Sequence, residues 1–252
     1  MISAMSLSFT PKMIEEIRKK QDKAKFIMYQ WDGENNIPYI VNFHKYFDKN
    51  YTFDRIDAEL KPEIYNFLPL FYIKEYEEVG KTMIEEFEYD VSYVGTAHPQ
   101  KYVMINEVSK KINEIYTKQF IYHYLPSKFK YFYHKIKDKE YKNVKLKDLN
   151  SEKIPKEKMM EIFSKSRCII DAPQKGQNGL TIRTIECLGA KRKLITANAD
   201  IKNYDFYNEN NIYIYEGKID LNSKFFKSEF EELPEELYKK YSLRNWIKVM
   251  IN

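Results

Sequence analysis

The chain has 252 residues, enough for one large domain or two ordinary ones around a sizeable core. Its 42 basic and 37 acidic residues leave a net charge of +5, a small imbalance with no single-sign run, which argues against an electrostatic nucleic-acid binder. Cys168 and Cys187 are its only cysteines, each in an apolar segment, so neither a disulfide framework nor paired C-x-x-C knuckles is present and a reducing cytoplasm is expected. The N-terminus lacks the basic start and apolar stretch of a signal peptide. The longest apolar run, 67–73, is broken by Pro69 and falls short of the ~20 residues a membrane span needs.

Thr10 and Pro11 before MIEEIRKK supply an N-cap residue, a proline at the first helical position, early acids and later bases, which together predict a helix. Residues 25–31 (KFIMYQW) predict a short buried strand and 50–53 another, with a polar segment at 43–49 between them. An apolar exit follows at 67–72, then a charge-rich segment at 74–90. The domain boundary falls there, dividing the chain into 1–85 and 86–252. Beyond it, strands at 91–94, 120–124, 168–171, 193–196 and 212–215 alternate with helices near 99–115, 155–165 and 180–189, ahead of terminal helices. Such alternation predicts βαβ units and a parallel sheet covered on both faces. The Lys/Tyr-rich stretch 128–147 reads as an exposed excursion. Within it, 131–137 reads as an amphipathic strand, with a nucleic-acid stacking platform as the rival.

The segment that carries chemistry runs from Asp171 to Gly189, after the apolar strand, where ligands bind in open α/β sheets. Gly176 and Gly179, two of only 7 glycines, let the backbone approach a ligand closely. A helix starting near Leu180 aims its free N–H groups and positive dipole end at the same place, so phosphate is the natural guest. Thr181 adds a hydroxyl donor, Arg183 a permanent charge, and Glu186 an acceptor for a ribose diol. Gly80-Lys81-Thr82 imitates the end of a P-loop, but Glu75 stands where that motif needs glycine. The four histidines show no ligand spacing and no D-x-D pair occurs, so no metal is expected.

The stretch NGLTIRTIECLGAKRKLIT, 178–196, resembles the donor-nucleotide segment of GT-B-fold glycosyltransferases, particularly bacterial enzymes of capsule and lipopolysaccharide assembly and their spore-maturation-like relatives. Residues 26–32, 46–55 and 90–98 fit the same family, so the resemblance covers most of the chain from about Ser8 onward. It implies an α/β fold with two Rossmann-like domains facing a cleft, both with parallel sheets. The first domain would be truncated, because the chain reads as opening on the helix that usually follows a β-α-β unit. The implied activity moves a sugar from a nucleotide-diphosphate donor, a co-substrate needing no other cofactor, to a surface glycan or lipid-linked glycan. Gly95, Thr96, Gly179, Leu180, Thr181, Arg183 and Glu186 would hold the donor. His98 enters a helix start where the pyrophosphate would sit, and Asp32, after Trp31, would act as general base towards the acceptor hydroxyl. The last helix, 242–248, would cross back to the first domain. The implied location is cytoplasmic, with peripheral attachment to the inner face of the membrane left open and no nucleic-acid partner. One departure is that Asn178 stands eight places before Glu186, where retaining members often carry a second glutamate. The alternative is a truncated or catalytically inactive homologue that only binds a nucleotide or a partner protein.

Overall fold

Strand β1 (Ile2–Ala4) precedes helix α1 (Pro11–Lys20) in the computed structural model, which describes residues 2–4, 9–82, 84–173 and 178–252. The expectation that the chain opens on its first helix is therefore corrected. Three residues are too few to reveal a strand by periodicity; pairing with the next strand is what makes them one. The helix itself starts as its residues dictate. Thr10 caps the Met13 N–H at 3.3 Å, Pro11 takes the first helical position, and Ile14 turns into the core.

Strands β2 (Ile27–Gln30), β3 (Lys49–Thr52) and β4 (Tyr65–Phe67), with α2 (Arg55–Leu60), complete a first sheet of parallel strands ordered β1-β2-β3-β4. Every residue of β2 is buried, as a strand covered on both faces requires. Helix α3 (Lys74–Lys81) leads to the second sheet. Its elements are β5 (Tyr89–Thr96), α4 (Pro99–Ile112), β6 (Gln119–Tyr124), α5 (Lys128–Lys137), α6 (Lys156–Lys165), β7 (Ser166–Asp171), α7 (Ile182–Gly189), β8 (Lys193–Thr196) and β9 (Ile212–Ile214). The order β6-β5-β7-β8-β9 is parallel throughout, and the chain reverses its direction of travel between β5 and β7. Helices α8 (Lys224–Lys227), α9 (Glu235–Lys240) and α10 (Leu243–Ile251) follow.

Residues 131–137 belong to a helix, not the strand their aromatic content suggests. Ser127 caps α5 through the Phe129 N–H, and Tyr131 packs with Leu125, Tyr141 and Val144 in a small satellite core. Aromatic β propensity is a weak prior, and this local packing overrides it.

The two sheets share one apolar core, in which Tyr29, Tyr51 and Phe53 from the first meet Leu180, Ile185 and Leu188 from the second. Helix α10 closes it from one side. The Trp246 ring lies 4.7 Å from Tyr29 and 4.6 Å from Phe71, edge-on and tilted, and the Leu243 N–H donates to the Tyr72 carbonyl. On the other side Asp54, 2% exposed, caps α2 through the Ile56 and Asp57 N–H groups and also accepts the Gly179 N–H at 3.1 Å. Next to it Arg55 forms a forked ion pair with Asp200.

Asp54→Ala should lower the unfolding free energy by about 2–4 kcal/mol, the sum of a lost N-cap and a buried charge-assisted bond. Urea unfolding checks this; a change below about 0.5 kcal/mol would show that the carboxylate does not join the domains. A second expectation concerns His123 on β6, 3% exposed between the Tyr93 and Tyr102 rings, whose pKa burial pushes from 6.5 down to about 4. Between those values the unfolded chain binds a proton that the folded chain refuses. Stability therefore falls as pH drops through 6.5, and the loss levels off below 4 at about 3 kcal/mol. In His123→Phe the difference in stability between pH 7 and pH 4 should shrink by that amount, and an unchanged difference would assign the acid sensitivity elsewhere.

Candidate functional site

The reversal between β5 and β7 fixes where a ligand fits, because such a switch point leaves a crevice beyond the carboxyl ends of the two strands. Their pairing stops at Ser92 and Ile169, whereas β5 continues beside β6 to Thr96 and β7 runs on to Asp171. Helix α4 starts at the crevice from the β5 side and helix α7 from the β7 side.

Asp171 is the carboxylate at the floor. It is 6% exposed and accepts hydrogen bonds from the hydroxyls of Thr181 and, at 3.1 Å, Thr184. Thr181 also accepts the Thr184 N–H, so it is the N-cap of α7 and the helix begins at Ile182, two residues later than expected. A negative charge at this helix start is favoured by the dipole, and Asp171 already supplies one.

Two cations, Arg183 and Lys101, feel the charge of Asp171, with no ion pair to it among the described residues. Arg183 lies in the first turn of α7, with its side chain 20% exposed, its guanidinium 5.1 Å from the Phe163 ring and an ion pair to Glu186 at 2.7 Å. Burial works against the Arg183 charge, but Glu186, Tyr76 and Asp171 outweigh it and hold the group above its ordinary pKa. Burial pushes the Glu186 carboxyl up, with Arg183 pulling it back. Lys101 occupies the first turn of α4; burial lowers its pKa, Asp171 opposes that, and Arg183 adds to it. Both cations sit at the positive end of a helix dipole, where a basic residue is disfavoured unless an anion is near. Tyr93 completes the cluster. Its buried hydroxyl has no hydrogen-bond partner among the described residues, and burial first and Asp171 second raise its pKa.

The glycines serve purposes other than those read from the sequence. Gly179 does approach something closely, but a Cβ there would sit 2.4 Å from the Phe53 ring. Its N–H is held by Asp54, and the Asn178 and Gly179 carbonyls accept from Asn198 at 3.0 and 3.4 Å. Leu180 is 2% exposed and belongs to the shared core. Gly95 lies within the β5–β6 ladder opposite His123, and a Cβ on it would strike the Tyr93 hydroxyl at 2.3 Å, so its missing side chain makes room for that ring. Gly176 lies outside the described residues. Thr96 is exposed at the end of β5.

His98 is the exposed N-cap residue of α4, makes no side-chain cap bond, and lies 5.8 Å from the His134 ring; burial, then His134 and Lys101, lower its pKa. Asp32 follows β2, half-buried, with its carbonyl accepting from Gln30 at 2.7 Å. The adjacent Gly33 faces Asp54, since a Cβ there would be 3.3 Å from that carboxylate. Among the described residues no hydrogen bond, ion pair or ring contact joins Asp32 or His98 to the Asp171 cluster. Sequence reasoning missed Lys101 and Tyr93 and gave Asp171 no role. The available signal was a basic residue in the first turn after β5, against the helix dipole.

No protein-family model matches the chain, and no curated protein matches it by sequence. Solved structures do. A sucrose-phosphate synthase from Thermosynechococcus elongatus is 10% identical, with a TM-score of 0.57 over 98% of this chain and 80% of that one. An alpha-glucosyltransferase in complex with UDP and a 13-mer DNA is 13% identical, with a TM-score of 0.55 over 97% of this chain and 70% of that one. The glycosylation-associated Gap123 complex from Streptococcus agalactiae is 12% identical, with a TM-score of 0.51 over 97% of this chain. The chain spans about half of that last one's length, 53%. At these identities the likeness concerns fold alone, and with the two parallel sheets it gives the chain an α/β, GT-B-like fold of two Rossmann-like domains facing a cleft.

Proposed function

We propose that the chain is a glycosyltransferase whose crevice between β5 and β7 takes the diphosphate of a nucleotide-sugar donor. The observation that carries this reading is the pair of first-turn cations, Lys101 and Arg183, brought together at a switch point by two helices whose dipoles both favour an anion. An incoming diphosphate would relieve both and give the Tyr93 hydroxyl a partner. Glu186, in the second turn of α7, is the proposed acceptor for the ribose hydroxyls, with Arg183 turning from it towards phosphate. The acceptor is a hydroxyl of a surface glycan or lipid-linked glycan. Its oxygen attacks the anomeric carbon as the bond to the diphosphate breaks, and Asp32, beside the joint between the domains, takes the proton. GT-B-like glycosyltransferases among the structural neighbours support the reading at the level of fold.

A second reading is favoured by one specific contact. The Gly179 N–H, which the sequence offers to a phosphate, is bound by the Asp54 carboxylate, and the Thr181 hydroxyl is bound by Asp171. A homologue that binds a nucleotide or a partner protein without transfer would keep such contacts permanently.

Calorimetric titration with uridine and guanosine diphosphate tests the donor site. Lys101→Met and Arg183→Ala should each weaken binding about tenfold or more, the worth of a charge-assisted contact to phosphate. Affinity unchanged in both variants would sink the assignment. A turnover assay with a panel of nucleotide sugars then separates the two readings, because the second forbids any donor hydrolysis or transfer. If turnover occurs, Asp32→Asn should lower kcat by about a hundredfold and leave nucleotide affinity unchanged.

A further inference from the structure

Helix α5 presents to solvent an apolar stripe that the fold leaves uncovered. Phe129 is 88% exposed, Phe132 56%, Tyr133 55% and Ile136 85%. These positions are spaced i, i+3, i+4 and i+7, so at about 100° per residue they share one face of the helix. The opposite face is already used, because Tyr131 packs into the satellite core with Leu125, Tyr141 and Val144. A soluble surface scatters its exposed apolar residues singly, and four in register on one helix mark a surface that something covers.

The charge around the stripe says what covers it. By the same geometry Lys128 and Lys135 flank the stripe on one side and Lys130 and Lys137 on the other, and the helix contains no acid. Residues 128–147 carry eight lysines against two acids, Asp138 and Glu140. Asp138 is paired with His134, and none of the eight lysines forms an ion pair among the described residues. The Lys137 ammonium lies over the Tyr133 ring at 5.1 Å, so that side chain follows the edge of the stripe. The Lys135 ammonium donates to the Val144 carbonyl at 2.7 Å, and the result is a ridge of aromatic and aliphatic side chains bordered on both sides by lysines that form no ion pair among the described residues. It suits a flat, delocalised negative surface into which rings can sink, as opposed to a single acidic groove.

We infer that α5 docks the protein onto anionic lipid, with Phe129, Phe132, Tyr133 and Ile136 entering the headgroup boundary and the flanking lysines meeting lipid phosphates. The helix follows the carboxyl end of β6, and His134 on it neighbours His98 at the start of α4. Docking therefore brings the crevice rim to the membrane surface. The inference stands on α5 alone and holds whether or not the crevice binds a nucleotide.

Co-sedimentation of the full chain with phosphatidylcholine vesicles, with and without phosphatidylglycerol, tests it. The expected result is binding to the anionic vesicles only, weakening as salt rises. Binding should fall by about tenfold or more in Phe129→Ser/Ile136→Ser, both highly exposed positions that leave the satellite core intact. Lys128→Gln/Lys130→Gln should lose much of the salt dependence, giving a second variant that leaves the four apolar side chains in place. Failure to pellet with either vesicle would overturn the inference, as would equal pelleting of the wild type and both variants. A dimer in sedimentation velocity that Phe129→Ser/Ile136→Ser abolishes, without vesicle binding, would assign the stripe to a second copy of the chain.

Discussion

Asp54 is a single buried carboxylate that terminates β3, caps α2 and reaches across to the amide of Gly179 in the other domain. Each of these bonds would be satisfied by water in an open cleft, so gathering them on one desolvated group commits the two sheets to a fixed relative position. Phe53 fills the space that Gly179 leaves empty, Arg55 clasps Asp200, and Asn198 holds the carbonyls on the far side of the same turn. The side opposite this joint is sealed by Trp246 against Tyr29 and Phe71. The crevice between β5 and β7 depends on both seams. The Asp54 joint holds Asn178 and Gly179 just ahead of α7, and Thr181 and Arg183 follow them at the helix start.

Within the crevice the electrostatics are unbalanced in a directed way. Asp171 binds the Thr181 and Thr184 hydroxyls at the start of α7 and acts electrostatically on both Arg183 and Lys101. The two cations are set against their helix dipoles, a cost that Asp171 offsets for both and Glu186 offsets for Arg183. The buried Tyr93 hydroxyl adds an unmatched donor in the same place. Around Asp54, by contrast, the carboxylate accepts three backbone N–H groups, from Ile56, Asp57 and Gly179.

The lipid docking proposed for α5 and the donor binding proposed for the crevice rest on independent features that meet at one rim. The link is the short path from β6 into α5 and the contact of His134 with His98. An acceptor attached to lipid would lie at that rim, so the two features are chemically compatible although neither requires the other.

How much of this was legible in the residues varies with the range of the interaction that decides it. Helix α1 was, because Thr10, Pro11 and the apolar spacing act within one turn. The alternation of β5 to β9 with their helices was, because each element carries its own period. Strands β1 and β4 were not, since three residues of mixed character gain strand geometry only from the neighbour they pair with. Helix α5 was misread because Phe and Tyr favour strands locally while Tyr131 is buried by a satellite core that forms only on folding. In the candidate site, Thr181, Arg183 and Glu186 were proposed from their place at the start of α7, whereas Lys101 comes from another helix and Asp54 from 125 residues away in sequence. The sequence by itself determined the parallel α/β plan and, to within two residues, the start of α7, because these follow from local periodicity and capping. Only the tertiary structure decided that Gly179 is bolted to the first domain and that cations from two helices lie within electrostatic reach of Asp171, because these relations exist only once distant strands are packed side by side.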